Sequence, residues 1–410
     1  MKLISKITIL SISLLKIMAT VAVTPALGVI EEYFYYTEPI LIKMILTIPS
    51  LIIILMSLIT SRLTLIYKKK TLCIVGIIFY AIGGMLGGVA NSIYILLIFR
   101  CLLGIGAGIV TPLSASIIAD FFYGEERAKF MGYSTAVSNL GGVIATLLAG
   151  FLANMNWRYV FSIYFISFIV LFLVWSEFPK TSIIEDRKLK MKKNECIEIT
   201  KCKEQEIKEE RKLNKRMHKM DIKNDVYKYA LGIFITVLIF YSIPTNLAIF
   251  IKYEGLGSSK LSGILLSLFT LSSFITGLLF NKIIKVFNSF SYSFSIMLMA
   301  IGFFIVSFSN NLYFIGVSVI LIGAGNGVIM TISMLGASRS VNSKNMTLAL
   351  AIINASVYSG KFLSPLLVQF TLDVLRVTSI RGEFYFSFCL SAIYFIILLL
   401  ANKSIYKLGR

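Results

Sequence analysis

Leu103-Gly104-Ile105-Gly106-Ala107-Gly108 recurs 219 positions later as Ile322-Gly323-Ala324-Gly325-Asn326-Gly327, and the reading of this doubled stretch decides the fold. A Gly-x-Gly-x-Gly run can cradle a phosphate when a strand precedes it and a helix follows. Here no strand precedes either copy and apolar sequence of helical length surrounds both, so the glycines mark places where one helix backbone approaches another. The same offset carries Gly141 onto Gly360, which makes the chain two copies of one unit.

Working outward, twelve apolar stretches appear, six on each side of a Lys- and Glu-rich block from Lys180 to Lys228. Their expected limits are 7–30, 40–61, 71–90, 93–118, 130–153, 159–175, 229–250, 261–281, 290–309, 311–337, 346–370 and 384–402. Each approaches the ~20 residues that a helix needs to cross a bilayer. No period-two alternation runs through them, which excludes a membrane barrel. The chain is 57% hydrophobic, so the expected class is an all-α membrane protein with twelve transmembrane helices in two pseudo-symmetric six-helix bundles. Residues 1–178 form the first bundle, 179–228 a cytoplasmic basic linker, and 229–410 the second bundle. Internal repeats of this kind are a signature of secondary transporters.

A net charge of +20 would suggest nucleic acid for a soluble chain, but its placement says otherwise. With the N-terminus in the cytoplasm, 31 of the 40 Lys and Arg fall on cytoplasmic segments, six at the outer ends and three inside spans. Such an asymmetry orients helical membrane proteins, and it puts both termini inside. Lys2 and Lys6 before an apolar run resemble a signal peptide, yet Lys16 interrupts that run and eleven spans follow, so it is read as the first helix. Tyr33, Tyr35 and Tyr36 on one side and Trp175 and Phe178 on the other sit where interfacial aromatic belts belong.

Leu96 to Gly108, with Arg100, Gly104 and Gly108, continues through Ala119-Asp120-Phe121-Phe122 to Glu126-Arg127 and Met131-Gly132. Together with Pro25-Ala26-Leu27 and Trp157-Arg158-Tyr159-Val160-Phe161, these residues give the whole chain a resemblance to the major facilitator superfamily, particularly its bacterial drug:proton antiporters. The resemblance implies a fold in which helices 1, 4, 7 and 10 line a central cavity bordered by helices 5, 8 and 11. It also implies gating or packing roles for Arg62, Lys69, Gly104, Gly108, Gly141, Gly277, Asn281 and Lys282. The chain departs from the family in two places. Its loop Ser61 to Lys70 has Leu65 where members carry an acid, and Thr146 stands where the helix 5 antiporter motif has Pro.

Within the expected spans there is no Asp or Glu, whereas Lys16, Arg100 and Lys361 are all there. An ionised side chain near the bilayer centre costs ~2.5 to 3.5 kcal/mol on insertion scales and is kept where water, a carbonyl or a ligand compensates it. Lys16 shares a helix face with Ser13, Thr20 and Thr24, and Lys361 with Asn354, Tyr358 and Pro365, so both are expected in an aqueous cavity. Arg100 is expected there too, with a structural or gating role as the competing reading. Tyr241, Asn246, Asn326 and Asn139 complete the expected polar lining, each open to the alternative of interhelical packing. No metal site and no cofactor are expected; Cys196, Cys202 and the only histidine, His218, read as parts of a solvated linker.

The resulting expectation is not an enzyme but a secondary active transporter in the cell membrane, working by alternating access, with efflux and a monomer as defaults. Its partners are a small-molecule substrate, a proton or other coupling ion and membrane lipids, with no nucleic acid. Three cations without carboxylates point to an organic anion as substrate. Alternatively one Lys carries the coupling proton, a part Arg cannot play at accessible pH. Two further readings stay open: multidrug antiport of lipophilic cations, and a non-transporting sensor derived from a transporter.

Overall fold

In lipid every backbone polar group needs a partner within the protein, and helices supply it segment by segment. The computed structural model describes residues 3–122, 124–178, 224–341, 346–377 and 379–400. Twelve of its helical runs are long and apolar enough to cross a membrane. The first six are α1 (Ile4–Tyr33), α2 (Pro39–Thr64), α3 (Lys69–Val89), α4 (Ile93–Phe121), α5 (Glu125–Met155) and α6 (Trp157–Glu177). The second six are α7 (Asn224–Tyr253), α8 (Ser259–Leu278), α9 (Ser291–Phe308), α10 (Leu312–Arg339), α11 (Leu348–Val374) and α12 (Ile380–Leu400). A short helix, Phe280–Phe287, follows α8. The expected linker lies outside the described residues through 223, with Cys196, Cys202 and His218; residues 224–228 are the first turn of α7.

Several spans extend beyond their expected ends, and this corrects the reading of their charge. Glu31 and Glu32 lie within α1, Asp120 within α4 and Glu383 within the first turn of α12, so carboxylates do fall inside spans. Glu383 is buried. Hydropathy placed these ends where charge begins; the helices continue past them, and Glu32, Asp120 and Glu383 each pair with a lysine of another helix.

The doubled glycine stretch is a packing repeat. A Cβ on Gly106 would stand 2.3 Å from the Tyr80 nitrogen and 2.5 Å from the Gly76 oxygen of α3. One on Gly325 would stand 2.5 Å from the Ser295 oxygen and 2.6 Å from Met299 of α9. Ser295 and Met299 are Gly76 and Tyr80 displaced by 219, so both ends of the contact repeat. Pro25 and Pro244 obey the same offset, and each interrupts its helix. α1 is helical to Val21, passes through the 3-10 turn Thr24–Ala26 and resumes at Leu27; α7 stops at Phe240 and resumes at Ser242. Proline strands the carbonyl four residues back. In α1 that carbonyl is Val21, and the Thr24 hydroxyl donates to it at 2.6 Å.

Two apolar cores result, one built from residues 9–178 with Ala248 and Ile249, the other from residues 226–398. The halves meet along α5 with α8 and along α2 with α11. At Gly150 and Gly263 the two backbones touch: a Cβ on either would lie 2.7 Å from the other's Cα.

The ties between the halves are unevenly distributed. Lys252 of α7 pairs with Glu32 of α1 at 2.9 Å, and Lys43 of α2 pairs with Glu383 of α12 at 2.5 Å. Both pairs, and the Gly150–Gly263 contact, lie at the end of the bundle away from the chain termini. At the terminal end each ion pair stays within one half: Lys6 with Glu126 at 3.2 Å and Lys69 with Asp120 at 2.6 Å in the first, and Lys228 with Asp225 at 3.0 Å in the second. Among the described residues, the ion pairs between halves therefore seal one end only.

Candidate functional site

Lys361 sits in the middle of α11, half-buried. Its Nζ lies 5.6 Å from the centroid of the Tyr241 ring and 5.4 Å from that of Tyr358. The two rings form an aromatic clasp around a cation, an arrangement that stabilises the charge by ~2 kcal/mol when water is scarce. Tyr241 stands at the break in α7 and is buried. Tyr358, one turn before Lys361, packs against the core of the first half beside Thr111 of α4. The clasp thus belongs to the second half and touches the first through Tyr358.

Exposure along this face of α11 is graded. Asn354 is exposed, Tyr358 and Lys361 are half-buried, and Pro365 is buried. Exposure along this face therefore rises toward the terminal end. No carboxylate pairs with Lys361 or Lys16 among the described residues. Buried polar atoms without partners surround the same level: the Tyr241 hydroxyl, Asn246 Oδ1 and Asn326 Oδ1. The amide nitrogens of both asparagines are committed, Asn246 to the Thr245 hydroxyl at 3.2 Å and Asn326 to the Ser273 hydroxyl at 3.0 Å. Free acceptors and hydroxyls of this kind fit a hydrated cavity that receives a polar solute.

Arg100 has a different setting. It is wholly buried, and its Nε donates to the Ile45 carbonyl of α2 at 2.8 Å, Nη1 to the Tyr164 hydroxyl of α6 at 2.8 Å and Nη2 to the Ala19 carbonyl of α1 at 3.0 Å. One guanidinium thereby joins α1, α2 and α6 to α4. Lys16 is half-buried on α1 and makes neither an ion pair nor a cation–π contact among the described residues. The polar face expected around it is used for packing. The Ser13 hydroxyl lies 2.6 Å from that of Ser134, and Thr20 and Thr24 bond to carbonyls of their own helix. Asn139 is half-buried on α5, next to Ser138, which donates to the Ser13 carbonyl at 2.5 Å.

The residues expected to gate or pack divide in the same way. A Cβ on Gly104 would meet Ile52 at 2.8 Å, one on Gly108 Met56 at 2.5 Å, and one on Gly141 Leu14 at 2.1 Å, all on neighbouring helices of the first half. Gly277 has nothing closer than the Thr331 hydroxyl at 3.6 Å. Arg62 is exposed, as are Asn281 and Lys282 on the short helix after α8. Lys69 donates to both Asp120 and Ser116, so a charge link between α3 and α4 exists although Leu65 replaces the acid of the preceding loop.

A sequence profile of the Major Facilitator Superfamily matches residues 9–365 and, separately, 229–407. The chain belongs to the major facilitator superfamily. Among superfamily relatives, the multidrug transporter protein MdtP of Bacillus subtilis is 36% identical over 106 residues, 26% of this chain and 20% of that protein. The quinolone resistance protein NorA of Staphylococcus aureus is 31% identical over 94 residues, 23% of this chain and 24% of that protein. These matches thus span about a fifth to a quarter of the curated relatives' length. In fold, a crystal structure of a D-xylose–proton symporter superposes with a TM-score of 0.71 at 13% identity, covering 98% of this chain and 99% of the other. An inward-facing bacterial homologue of the lysosomal transporter Spinster superposes at 0.67, with 15% identity and coverage of 98% and 95%. Superfamily membership and the twelve spans make this a multi-pass membrane protein.

What residue reading missed within the superfamily frame is the pair Lys43 and Glu383 with its neighbours Gln369 and Glu31. Lys43 donates to Glu383 and, at 3.3 Å, to Gln369 of α11. The signal was present: Lys43 lies inside its own apolar span and Glu383 one residue before the next. Both look like end charges because helix ends cannot be read to better than a few residues.

Proposed function

We propose that this protein is a secondary active transporter that exports a small organic anion, an aromatic carboxylate being the best-fitting class, and that the conformation described is open toward the cytoplasm. The observation that carries the reading is Lys361: a half-exposed cation in mid-membrane, with no carboxylate beside it and two tyrosine rings around it. A carboxylate supplies the missing counter-charge, and an aromatic body stacks where the rings already lie. Charge placement along the chain puts the termini, and with them the open end, on the cytoplasmic side. Arg100 holds the wall of the cavity, while Tyr241, Asn246 and Asn326 offer hydrogen bonds to the solute. Transport is expected from the monomer and is driven by an ion gradient.

Proteoliposomes of the purified protein test this directly, with an aromatic carboxylate and a cationic dye compared with and without an imposed pH gradient. Gradient-dependent movement of the carboxylate alone is the expected result. A second reading, export of lipophilic cations, has the support of the multidrug names of the relatives and of the same aromatic clasp, since tyrosine faces also attract cations. Movement of the dye without the carboxylate would establish that reading in place of the first.

A further inference from the structure

The polar group with the least explained setting is Glu383. It is 6% exposed, and while one oxygen accepts from Lys43, Oε2 has no hydrogen-bond partner. A carboxylate oxygen left bare in a buried interface is unfavourable unless something binds it. Lys43, 3% exposed, is its partner across the interface between halves. Glu31 of α1, half-buried, lies within electrostatic reach of both.

The other charged groups around this point are already committed. Arg381, on the same helix as Glu383, forks onto Glu254 of α7 at 2.8 and 3.1 Å. Those bonds hold the Glu254 carboxyl below the usual carboxylate range, so the pair is lost only as pH falls through that lowered value. Asp373 of α11 accepts from Gln369 Nε2 at 2.9 Å, and the Ser387 hydroxyl donates to Ser242 of α7. The cluster proper therefore holds two carboxylates against one ammonium, an uncompensated negative charge with one free oxygen.

We propose that the Glu383–Lys43–Glu31 cluster is a proton-binding site, that one proton enters on the free Oε2 of Glu383, and that its arrival loosens the clasp between the halves at the closed end. The proton comes from water on that face by way of Glu31, and Lys43 keeps a counter-ion in Glu31 after Glu383 is neutral, so no charge is stranded. Loss of the ionic bond removes the one buried ion pair between α2 and α12 among the described residues. The link to the cavity runs along α11: Gln369, which touches Lys43, and Lys361 are eight residues apart on one face, about 12 Å. The proposal deepens the transport reading by naming the coupling ion and its seat.

The test uses no substrate. Spin labels at Tyr36 and Tyr253, which are 88% and 79% exposed and stand one on each half at the closed end, report the opening of that end. The labelled protein, with its five native cysteines replaced, is placed in lipid nanodiscs and its distance distribution followed from about pH 8 to about pH 5. The wild-type distance lengthens on acidification, whereas Glu383→Gln shows the long distance throughout. A wild-type distance that ignores pH, or a Glu383→Gln profile that follows the wild type, overturns the proposal. Should Glu383→Gln fail to fold, Glu31→Gln decides: removing a like charge moves the midpoint of opening down by about one pH unit, and an unmoved midpoint overturns the site. Glu32→Gln, which removes only the exposed pair with Lys252, leaves the pH response in place. Failure of either probe to move in liposomes would leave this result standing, and failure here would leave transport standing.

Discussion

Arg100 and Lys361 are both cations within apolar spans, and the difference in their partners separates what each does. Three well-placed acceptors on three helices make Arg100 a tie within the first half. Hydrogen bonds between membrane helices contribute ~0.6 kcal/mol each, so Arg100→Gln should lower stability by about 2 kcal/mol. The check is a thermal melt in detergent, with the protein that remains folded still transporting. Lys cannot reproduce the fork, so Arg100→Lys should recover less than half of the loss. Lys361 has rings but no hydrogen-bonded anchor, so Lys361→Gln should melt within a few degrees of wild type. Its effect falls on transport instead, as a rise in KM for the carboxylate of about tenfold, equivalent to about 1.4 kcal/mol. Equal KM values in the two proteins would remove Lys361 from the site. Spacing alone placed Lys361, Tyr358 and Asn354 on one face, and exposure is graded along that face from Asn354 inward. Arg100 could not be sorted from Lys361 in this way, because two of the three acceptors that hold it are backbone carbonyls of distant segments, which leave no mark in composition.

At the scale of helices, the glycines show how far a pattern can be trusted. Period and apolar length were enough to give twelve spans and the repeat that relates them, since both are local properties of a chain that must satisfy its own backbone in lipid. Which glycines are structurally required was not legible, because that depends on which backbone lies opposite. Gly106 faces backbone atoms of α3 at 2.3 and 2.5 Å, and Gly327 faces the Ser273 oxygen of α8 at 2.1 Å. Gly277 faces open space out to 3.6 Å. Gly106→Ala and Gly327→Ala must push helices apart and are expected to cost about 1 to 3 kcal/mol each. Gly277→Ala should be neutral or stabilising by up to about 1 kcal/mol, because alanine is the better helix former. Melting temperatures of the three variants, measured side by side, check the ranking; a Gly277→Ala loss as large as that of Gly106→Ala would contradict the packing described. The breaks at Pro25 and Pro244 belong to the same scale. Their shared offset was readable, yet only the structure reveals that Thr24 repairs the freed carbonyl in one helix and that the other break carries Tyr241 to the clasp.

For the whole molecule the decisive feature is that both ion pairs between halves lie at the end remote from the termini. A transporter that alternates must break such ties in each cycle, so they have to be strong enough to close the end and weak enough to open it. The exposed Glu32–Lys252 pair contributes ~0 to 1 kcal/mol and sets little by itself. The buried Lys43–Glu383 pair is different in kind, since losing one partner costs ~3 to 5 kcal/mol while the other stays buried. Holding this end shut should therefore stop transport without touching the cavity. Cysteines in place of Glu32 and Lys252, joined by a short thiol-reactive crosslinker in a background free of other cysteines, are expected to abolish accumulation of the substrate. Binding from the terminal side should persist at close to its original affinity, and cleavage of the linker should restore transport. If the crosslinked protein moves substrate at the unmodified rate, the halves do not part here, and the asymmetry of the ion pairs has another origin. The expected loss, with binding retained, would instead mean that the closed end is the barrier and that the solute waiting at Lys361 leaves only when Lys43 and Glu383 let go.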